Sequence, residues 1–218
     1  MSHVIALCGP DGAGKSTLAD QLATVGFEVQ YGGKKDNHHL SVTVIAYRIY
    51  DFIDTISASS YFSHLFLLGI FYPIEYAENI IRVRRANDTA SQGTPVCFDR
   101  FVVDRMWQRY SQNDCSFAQM VYKRVISIYS HLYLNYFPPI DGYVFLAPSS
   151  DVLLDRAPNH YESRNHAKRV RSAYLMVAAE LELRDENVLI IDANEEPEKL
   201  RQQILDWRDE ITNHDESK

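Results

Sequence analysis

The chain has 218 residues, of which 46% are hydrophobic and 23% charged, and its formal net charge is −7. This length and composition are typical of one globular domain with a buried core. A negative net charge disfavours binding to nucleic acid or to an anionic membrane surface, so we expect neither as a partner. The most hydrophobic stretch, residues 65–74, is shorter than the roughly 20 residues that span a bilayer.

The cysteine content and the first residues bear on the cellular compartment. There are three cysteines, an odd number, and Cys8 and Cys97 lie in apolar runs that predict strands. This favours buried free thiols in a reducing cytosol over a disulfide framework. Residues 1–4 lead directly into the first predicted strand and show no signal-peptide pattern. We therefore expect a cytoplasmic protein.

Strands and helices alternate in the predicted order of elements. The predicted strands are residues 3–8, 27–31, 95–98, 143–147 and 187–191. The predicted helices are residues 15–25, 41–57, 73–93, 117–136, 150–156, 166–184 and 196–211. Such alternation favours an α/β fold with a parallel sheet and helices on both faces. We expect a single domain over residues 1–212 and a disordered acidic tail over residues 213–218.

A glycine-rich motif, Gly-Pro-Asp-Gly-Ala-Gly-Lys-Ser-Thr at residues 9–17, separates the first strand from the first helix. It fits the phosphate-loop pattern G-x-x-x-x-G-K-[ST] in the required context. Glycines let backbone N–H groups converge on phosphate oxygens, and the helix N-terminus adds partial positive charge there. Lys15 is expected to reach the β- and γ-phosphates of ATP, and the Ser16 hydroxyl to coordinate Mg²⁺. The predicted ATP-binding residues are Gly9, Asp11, Gly12, Ala13, Gly14, Lys15, Ser16 and Thr17.

A second signal is Asp99-Arg100, directly after the predicted strand 95–98. A carboxylate at the C-terminal end of a parallel strand faces the ligand crevice of such a sheet. Asp99 is expected either to hold Mg²⁺ through water or to orient the acceptor, and Arg100 to pair with a phosphate in a fork geometry. The alternative is a surface salt bridge at a strand end, and the phosphate loop nearby favours the functional interpretation.

A third signal is the arginine-bearing polar segment after the predicted helix 150–156. Residues 156–165 are typical of a mobile lid, which closes over phosphates, excludes water and brings positive charge to the transferred group. Arg156 and Arg164 are the candidate catalytic arginines, with Arg169 behind them. The alternative is a solvated loop and helix face, because arginines are common on surfaces.

Together these motifs resemble the thymidylate kinase family of P-loop kinases over nearly the whole chain. Besides the phosphate loop, the resembling segments are Ser91-Gln92-Gly93, Asp99-Arg100-Phe101, Tyr161-Glu162, residues 168–175 and residues 190–193. The resemblance implies a P-loop NTPase fold with a five-stranded parallel sheet and a homodimer. It also implies ATP-Mg²⁺ as the phosphoryl donor and dTMP, a small nucleotide, as the acceptor.

The resemblance also implies roles for single residues. Asp11 would approach the sugar hydroxyl of the acceptor, and Arg100 would hold the acceptor phosphate. Position 13 is alanine, which resembles the subgroup in which the lid supplies the catalytic arginine, so the role falls to Arg156 or Arg164.

Two departures from the family concern the acceptor. Residues 32–35 are Gly-Gly-Lys-Lys where the family usually has Arg-Glu-Pro after its second strand. The family's base-reading arginine falls at Glu78 or Asn79 in this chain. The phosphate-transfer residues therefore match the family, and the thymine-reading residues do not.

These observations leave three hypotheses about function. The first is a nucleoside monophosphate kinase, with dTMP as the leading acceptor. The second is a kinase of the same fold that acts on a deoxynucleoside or another small acceptor. The third is an ATP-binding regulatory protein with little turnover.

Overall fold

The protein is described by a computed structural model that covers residues 3–31, 72–111 and 117–215. The predicted helix at 41–57, the departure at 32–35 and Cys115 lie outside the described residues. None of the described helices combines the length and the apolar character that a membrane span requires.

A parallel sheet of five strands forms the centre of the described structure. The strands are β1 (Val4–Cys8), β2 (Glu28–Tyr31), β3 (Val96–Asp99), β4 (Gly142–Leu146) and β5 (Val188–Ile191), in the spatial order β2-β3-β1-β4-β5. In the register, Leu7 of β1 lies beside Asp99 of β3 and Val144 of β4. Since all strands are parallel, their carboxyl ends meet at one edge, where ligands bind in open α/β sheets.

Helices connect the strands. They are α1 (Lys15–Ala23), α2 (Tyr72–Ser91), a 3₁₀ helix (Val102–Arg105), α3 (Gln108–Ser111), α4 (Phe117–Tyr136), α5 (Ser150–Arg156), α6 (Arg164–Glu182) and α7 (Pro197–Asp215). Two begin at serine caps. The Ser149 hydroxyl accepts from the backbone N–H of Val152 at 3.4 Å, and that of Ser163 accepts from His166 at 3.2 Å. Each cap satisfies a helix N–H that would otherwise lack a partner.

Strand β1 is apolar throughout because both of its faces are buried. Val4, Ala6 and Cys8 pack on the side of α2 and α6, whereas Ile5 and Leu7 pack on the side of α1 and α7. The absence of hydrophobic–polar alternation in β1 thus follows from the burial of both faces of the sheet. This confirms the predicted α/β architecture with helices on both sides.

Cys8 and Cys97 are buried and unpaired, as the sequence predicted. Burial raises the pKa of both thiols, which keeps them protonated and unreactive. Neither thiol therefore serves as a nucleophile in this fold.

The structure differs from the sequence prediction in three places. Asp99 is the last residue of β3 rather than the residue after it. The 3₁₀ helix and α3 were not predicted, because elements of four residues are too short to show a helical period. Helix α7 runs to Asp215, into the segment assigned to a disordered tail. Contacts of Ile211, which is buried, and of Thr212, 2.6 Å from His3 Nε2, hold this last turn.

Candidate active site

The glycines of the phosphate loop are required by backbone geometry. Gly9 has a φ of +149°, and a Cβ there would lie 2.6 Å from the carbonyl oxygen of Leu146, too close for any side chain. Gly14 adopts a φ of +94° immediately before α1 begins at Lys15. The loop therefore turns sharply from β1 into α1, and the free N–H groups of the helix N-terminus face it.

Lys15 folds back over the phosphate loop. Its side chain is buried, and Nζ donates to the carbonyl oxygens of Gly9 and of Pro10, the latter at 3.0 Å. Its ammonium group thus lies against the loop that is expected to hold phosphates. A phosphate anion is a stronger partner for this ammonium group than a neutral carbonyl, because the opposite charges attract each other.

Ser16 and Asp99 meet beneath the loop. The Ser16 hydroxyl donates to Asp99 Oδ2 at 2.7 Å, and Asp99 is only 3% exposed. Its second oxygen, Oδ1, is buried and has no hydrogen-bond partner among the described residues. An unsatisfied buried carboxylate oxygen is costly, and it is the kind of atom that an ion or its water shell satisfies.

The residues present fit Mg²⁺. Hydroxyl and carboxylate oxygens are its preferred ligands, and it is commonly bound by one or two protein groups together with substrate phosphates and water. In the described part of the chain, no cluster of three or more His, Cys, Asp or Glu residues suits a metal. Ser16 and Asp99 would therefore hold the ion together with phosphate and water oxygens.

Asp104 anchors the start of the loop and was missed by the sequence analysis. Its Oδ1 accepts from the backbone N–H of Gly9 at 3.0 Å, and its Oδ2 accepts from that of Phe101 at 3.2 Å. Burial raises the pKa of Asp104, and the nearby charge of Lys15 opposes that rise. No local pattern marks this residue, since its role depends on the 3₁₀ helix packing under the loop.

Asp11 projects from the loop toward two segments. Its Oδ1 lies 2.8 Å from Arg100 Nη2, and its Oδ2 lies 3.4 Å from His160 Nδ1. Its backbone carbonyl accepts from the Tyr161 hydroxyl at 2.6 Å. Arg100, at a φ of +68°, is turned toward the loop by an unusual backbone conformation for a non-glycine residue. The structure thus brings the predicted Asp11 and Arg100 together and adds His160, which sequence reasoning missed.

The two candidate lid arginines lie in different places. Arg156 is the last residue of α5. Its Nη1 lies 3.8 Å from the position that a Cβ on Gly14 would occupy. The same nitrogen donates to the carbonyl of Ala193 at 3.2 Å. Arg164, at the start of α6, pairs instead with Asp151 on α5. Arg156 therefore lies beside the phosphate loop, and Arg164 is held by a surface ion pair. Arg169 lies farther along α6, in a groove of about 390 Å³ with Tyr110.

The N-terminal half of α2 lies at the carboxyl edge of the sheet. Asn79, one of the two residues at the expected base-reading position, donates to the Tyr133 hydroxyl at 3.4 Å and accepts from Arg82 at 3.3 Å. Arg82 also donates to the carbonyl of Tyr31, at the end of β2, at 3.2 Å. Arg82 thus lies about one helical turn after the expected base-reading position.

A carboxylate and a guanidinium pair nearby on the same side of the sheet. Glu75 of α2 lies 2.8 Å from Arg105 of the 3₁₀ helix. Burial raises the pKa of Glu75, and the charge of Arg105 opposes that rise. This side of the sheet therefore carries charged and hydrogen-bonded groups.

No protein-family model matches the sequence, and no curated protein matches it. Solved structures do match. Thymidylate kinase from Candida albicans is 17% identical with a TM-score of 0.67, over 98% of this chain and 93% of that one. Deoxyadenosine kinase from M. mycoides with dCMP and dCDP is 15% identical with a TM-score of 0.59, over 95% and 99%. The same kinase with dATP is 15% identical with a TM-score of 0.57, over 93% and 97%. The chain therefore has the fold of the P-loop nucleotide and deoxynucleoside kinases.

Proposed function

We propose that this protein is a kinase that transfers the γ-phosphoryl group of ATP to a nucleoside monophosphate, with dTMP as the first acceptor to test. The observation that carries the proposal is the Ser16–Asp99 pair under a glycine-rich loop, with Asp99 Oδ1 buried and without a hydrogen-bond partner among the described residues. This oxygen pair and the Lys15 ammonium group supply the charges that a nucleoside triphosphate and its metal ion require.

The donor half of the reaction asks the protein mainly for positioning and charge. The N–H groups at the start of α1 receive phosphate oxygens, and Lys15 turns from its loop carbonyls to the β- and γ-phosphates. Ser16 and Asp99 would hold Mg²⁺, which when bound would neutralise charge on the same phosphates. Arg156 lies beside the loop and is the lid arginine placed to stabilise the transferred group. The other candidate arginine, Arg164, forms an ion pair with Asp151 instead.

The acceptor half rests on Asp11 and Arg100. Arg100 offers a guanidinium for the acceptor phosphate, and Asp11 offers a carboxylate for a sugar hydroxyl. Holding the acceptor oxygen in line with the γ-phosphorus would raise the rate, because the reacting groups then no longer have to find each other in solution. The choice of dTMP is supported by the motif resemblance and by the likeness to thymidylate kinase.

A second candidate is a deoxynucleoside kinase. The likeness to deoxyadenosine kinase, which spans 99% of that chain, favours it. So does the lack of an arginine at Glu78 and Asn79, one of which stands where the resemblance places the family's base-reading arginine. An ATP-binding regulatory protein remains the third hypothesis. The proposal further includes a cytoplasmic homodimer without a nucleic-acid partner, as expected from the sequence and the family resemblance.

Production of ADP across a panel of acceptors tests the proposal. The panel contains dTMP, other nucleoside monophosphates, deoxynucleosides and small hydroxy compounds, with Lys15→Ala as the inactive control. We expect ADP above the water background with a monophosphate and none with Lys15→Ala. Turnover of a deoxynucleoside alone would select the second candidate. Tight ATP binding without any acceptor-dependent turnover would select the third.

A further inference from the structure

The carboxylate of Asp11 is shared by two basic side chains. Arg100 Nη2 lies 2.8 Å from Oδ1, and His160 Nδ1 lies 3.4 Å from Oδ2. The two basic residues come from distant parts of the chain: Arg100 follows β3, and His160 belongs to the turn between α5 and α6. An imidazole N–H group can donate to a carboxylate oxygen or to a phosphate oxygen. Arg100 and His160 therefore point two donors at one anion.

All three side chains are accessible to solvent. The exposed fractions are 55% for Arg100, 59% for His160 and 38% for Asp11. Exposed ion pairs contribute little to stability and are easily exchanged for another partner. This contact is therefore unlike Ser16–Asp99, which is buried, and an incoming anion can replace Asp11.

The turn that carries His160 is held by contacts that do not involve the His160 imidazole. The Tyr161 hydroxyl donates to the backbone carbonyl of Asp11 at 2.6 Å, and the backbone N–H of His160 donates to the carbonyl of Ala157 at 3.0 Å. Burial raises the pKa of the Tyr161 phenol, so it remains a donor. The imidazole is thus not needed to hold the turn, and its exposed contact with Asp11 is one that a ligand can replace.

We propose that His160 is a second ligand of the acceptor phosphate, opposite Arg100, and that Asp11 holds both donors in place until the acceptor displaces it. The inference rests on the proposed function, in which Arg100 holds that phosphate. A phosphate offers oxygens at a spacing similar to those of a carboxylate, so the same two donors can turn to it. Asp11 is then released to accept a hydrogen bond from a hydroxyl of the acceptor.

The test compares His160→Ala and His160→Arg with the wild type. The control is Asn159→Ala, which removes the exposed neighbouring side chain. The measurements are KM and kcat for dTMP and for ATP, together with the calorimetric Kd for dTMP in the absence of ATP. We expect His160→Ala to raise the KM and Kd for dTMP about tenfold and those for ATP less than twofold. His160→Arg still presents N–H donors that suit a phosphate, so it should stay within about threefold of the wild type, as should Asn159→Ala.

The outcomes separate this inference from the proposed function. Wild-type turnover of dTMP with an unchanged dTMP Kd in His160→Ala would overturn the role of His160 and leave the kinase proposal standing. An equal loss of ATP and dTMP affinity would also overturn it, since that result indicates a general lid role. A wild type that binds and turns over a deoxynucleoside but no monophosphate would overturn both this inference and the monophosphate half of the proposed function.

Discussion

The Ser16 hydroxyl donates to Asp99 Oδ2 at 2.7 Å, which joins the first turn of α1 to the end of β3. The two residues meet because β1 and β3 are neighbours in the sheet, with Leu7 beside Asp99 in the register. Two motifs that are far apart in the sequence thus become one oxygen pair at the phosphate loop.

We expect Asp99→Asn to weaken the binding of Mg²⁺. The amide keeps the volume and the contact with Ser16 but removes the negative charge that favours a divalent ion. We expect kcat to fall by about 10²-fold and the half-saturating Mg²⁺ concentration to rise. Titration of Mg²⁺ in a steady-state assay measures both. Asp88→Asn, on the exposed side of α2, is the matched control. An unchanged half-saturating Mg²⁺ concentration in Asp99→Asn would contradict the assignment of Asp99 as a metal ligand.

Arg156 and Arg164 should differ sharply when each is replaced by alanine. Arg156 lies beside Gly14, so its loss should lower kcat by about 10³-fold, as losing an arginine finger does. Arg164 pairs with Asp151 at the surface, so its loss should change kcat by less than about threefold. Single-turnover rates of the two variants provide the comparison. The reverse order would mean that the lid rearranges to bring Arg164 to the phosphates.

Arg100→Ala should act on the acceptor and not on the donor. Its guanidinium contacts Asp11 and reaches no other described loop side chain, so ATP binding should remain within about twofold of the wild type. The KM for the monophosphate should rise by about 10- to 100-fold, because a charged hydrogen bond is lost. Separate calorimetric titrations with ATP and with dTMP distinguish these effects. A loss confined to ATP binding would refute the assigned role.

Gly12→Ala tests the contact between the phosphate loop and Ala157, in the predicted lid of residues 156–165. A Cβ at Gly12 would lie 2.9 Å from Ala157 Cβ, whereas a Cβ at Gly93 would meet nothing within 4 Å. Both glycines have a positive φ, +82° and +98°, so alanine at either position destabilises the fold by about 1–2 kcal/mol. We expect a lower Tm in both variants, with the larger loss in Gly12→Ala because of the close contact with Ala157, and a large loss of kcat only in Gly12→Ala. Equal activity of the two variants would show that the lid tolerates displacement at Ala157.

The sequence was most informative where the evidence is local. The phosphate loop is one contiguous motif, and the parallel-sheet rule was enough to place Asp99 near it. Asp104 and His160 could not be predicted, because their contacts with Gly9 and Asp11 depend on how distant segments pack. The separation of Arg156 from Arg164 also needed the structure, since α5 ends at one residue and α6 begins at the other.

The most direct test of the proposed kinase activity follows the phosphoryl group itself. ATP labelled at its γ-phosphate is incubated with Mg²⁺, dTMP and either the wild type or Lys15→Ala, and the products are separated. We expect labelled dTDP and unlabelled ADP with the wild type, and neither with Lys15→Ala. Label that appears only as inorganic phosphate, or that remains in ATP, would contradict phosphoryl transfer to dTMP.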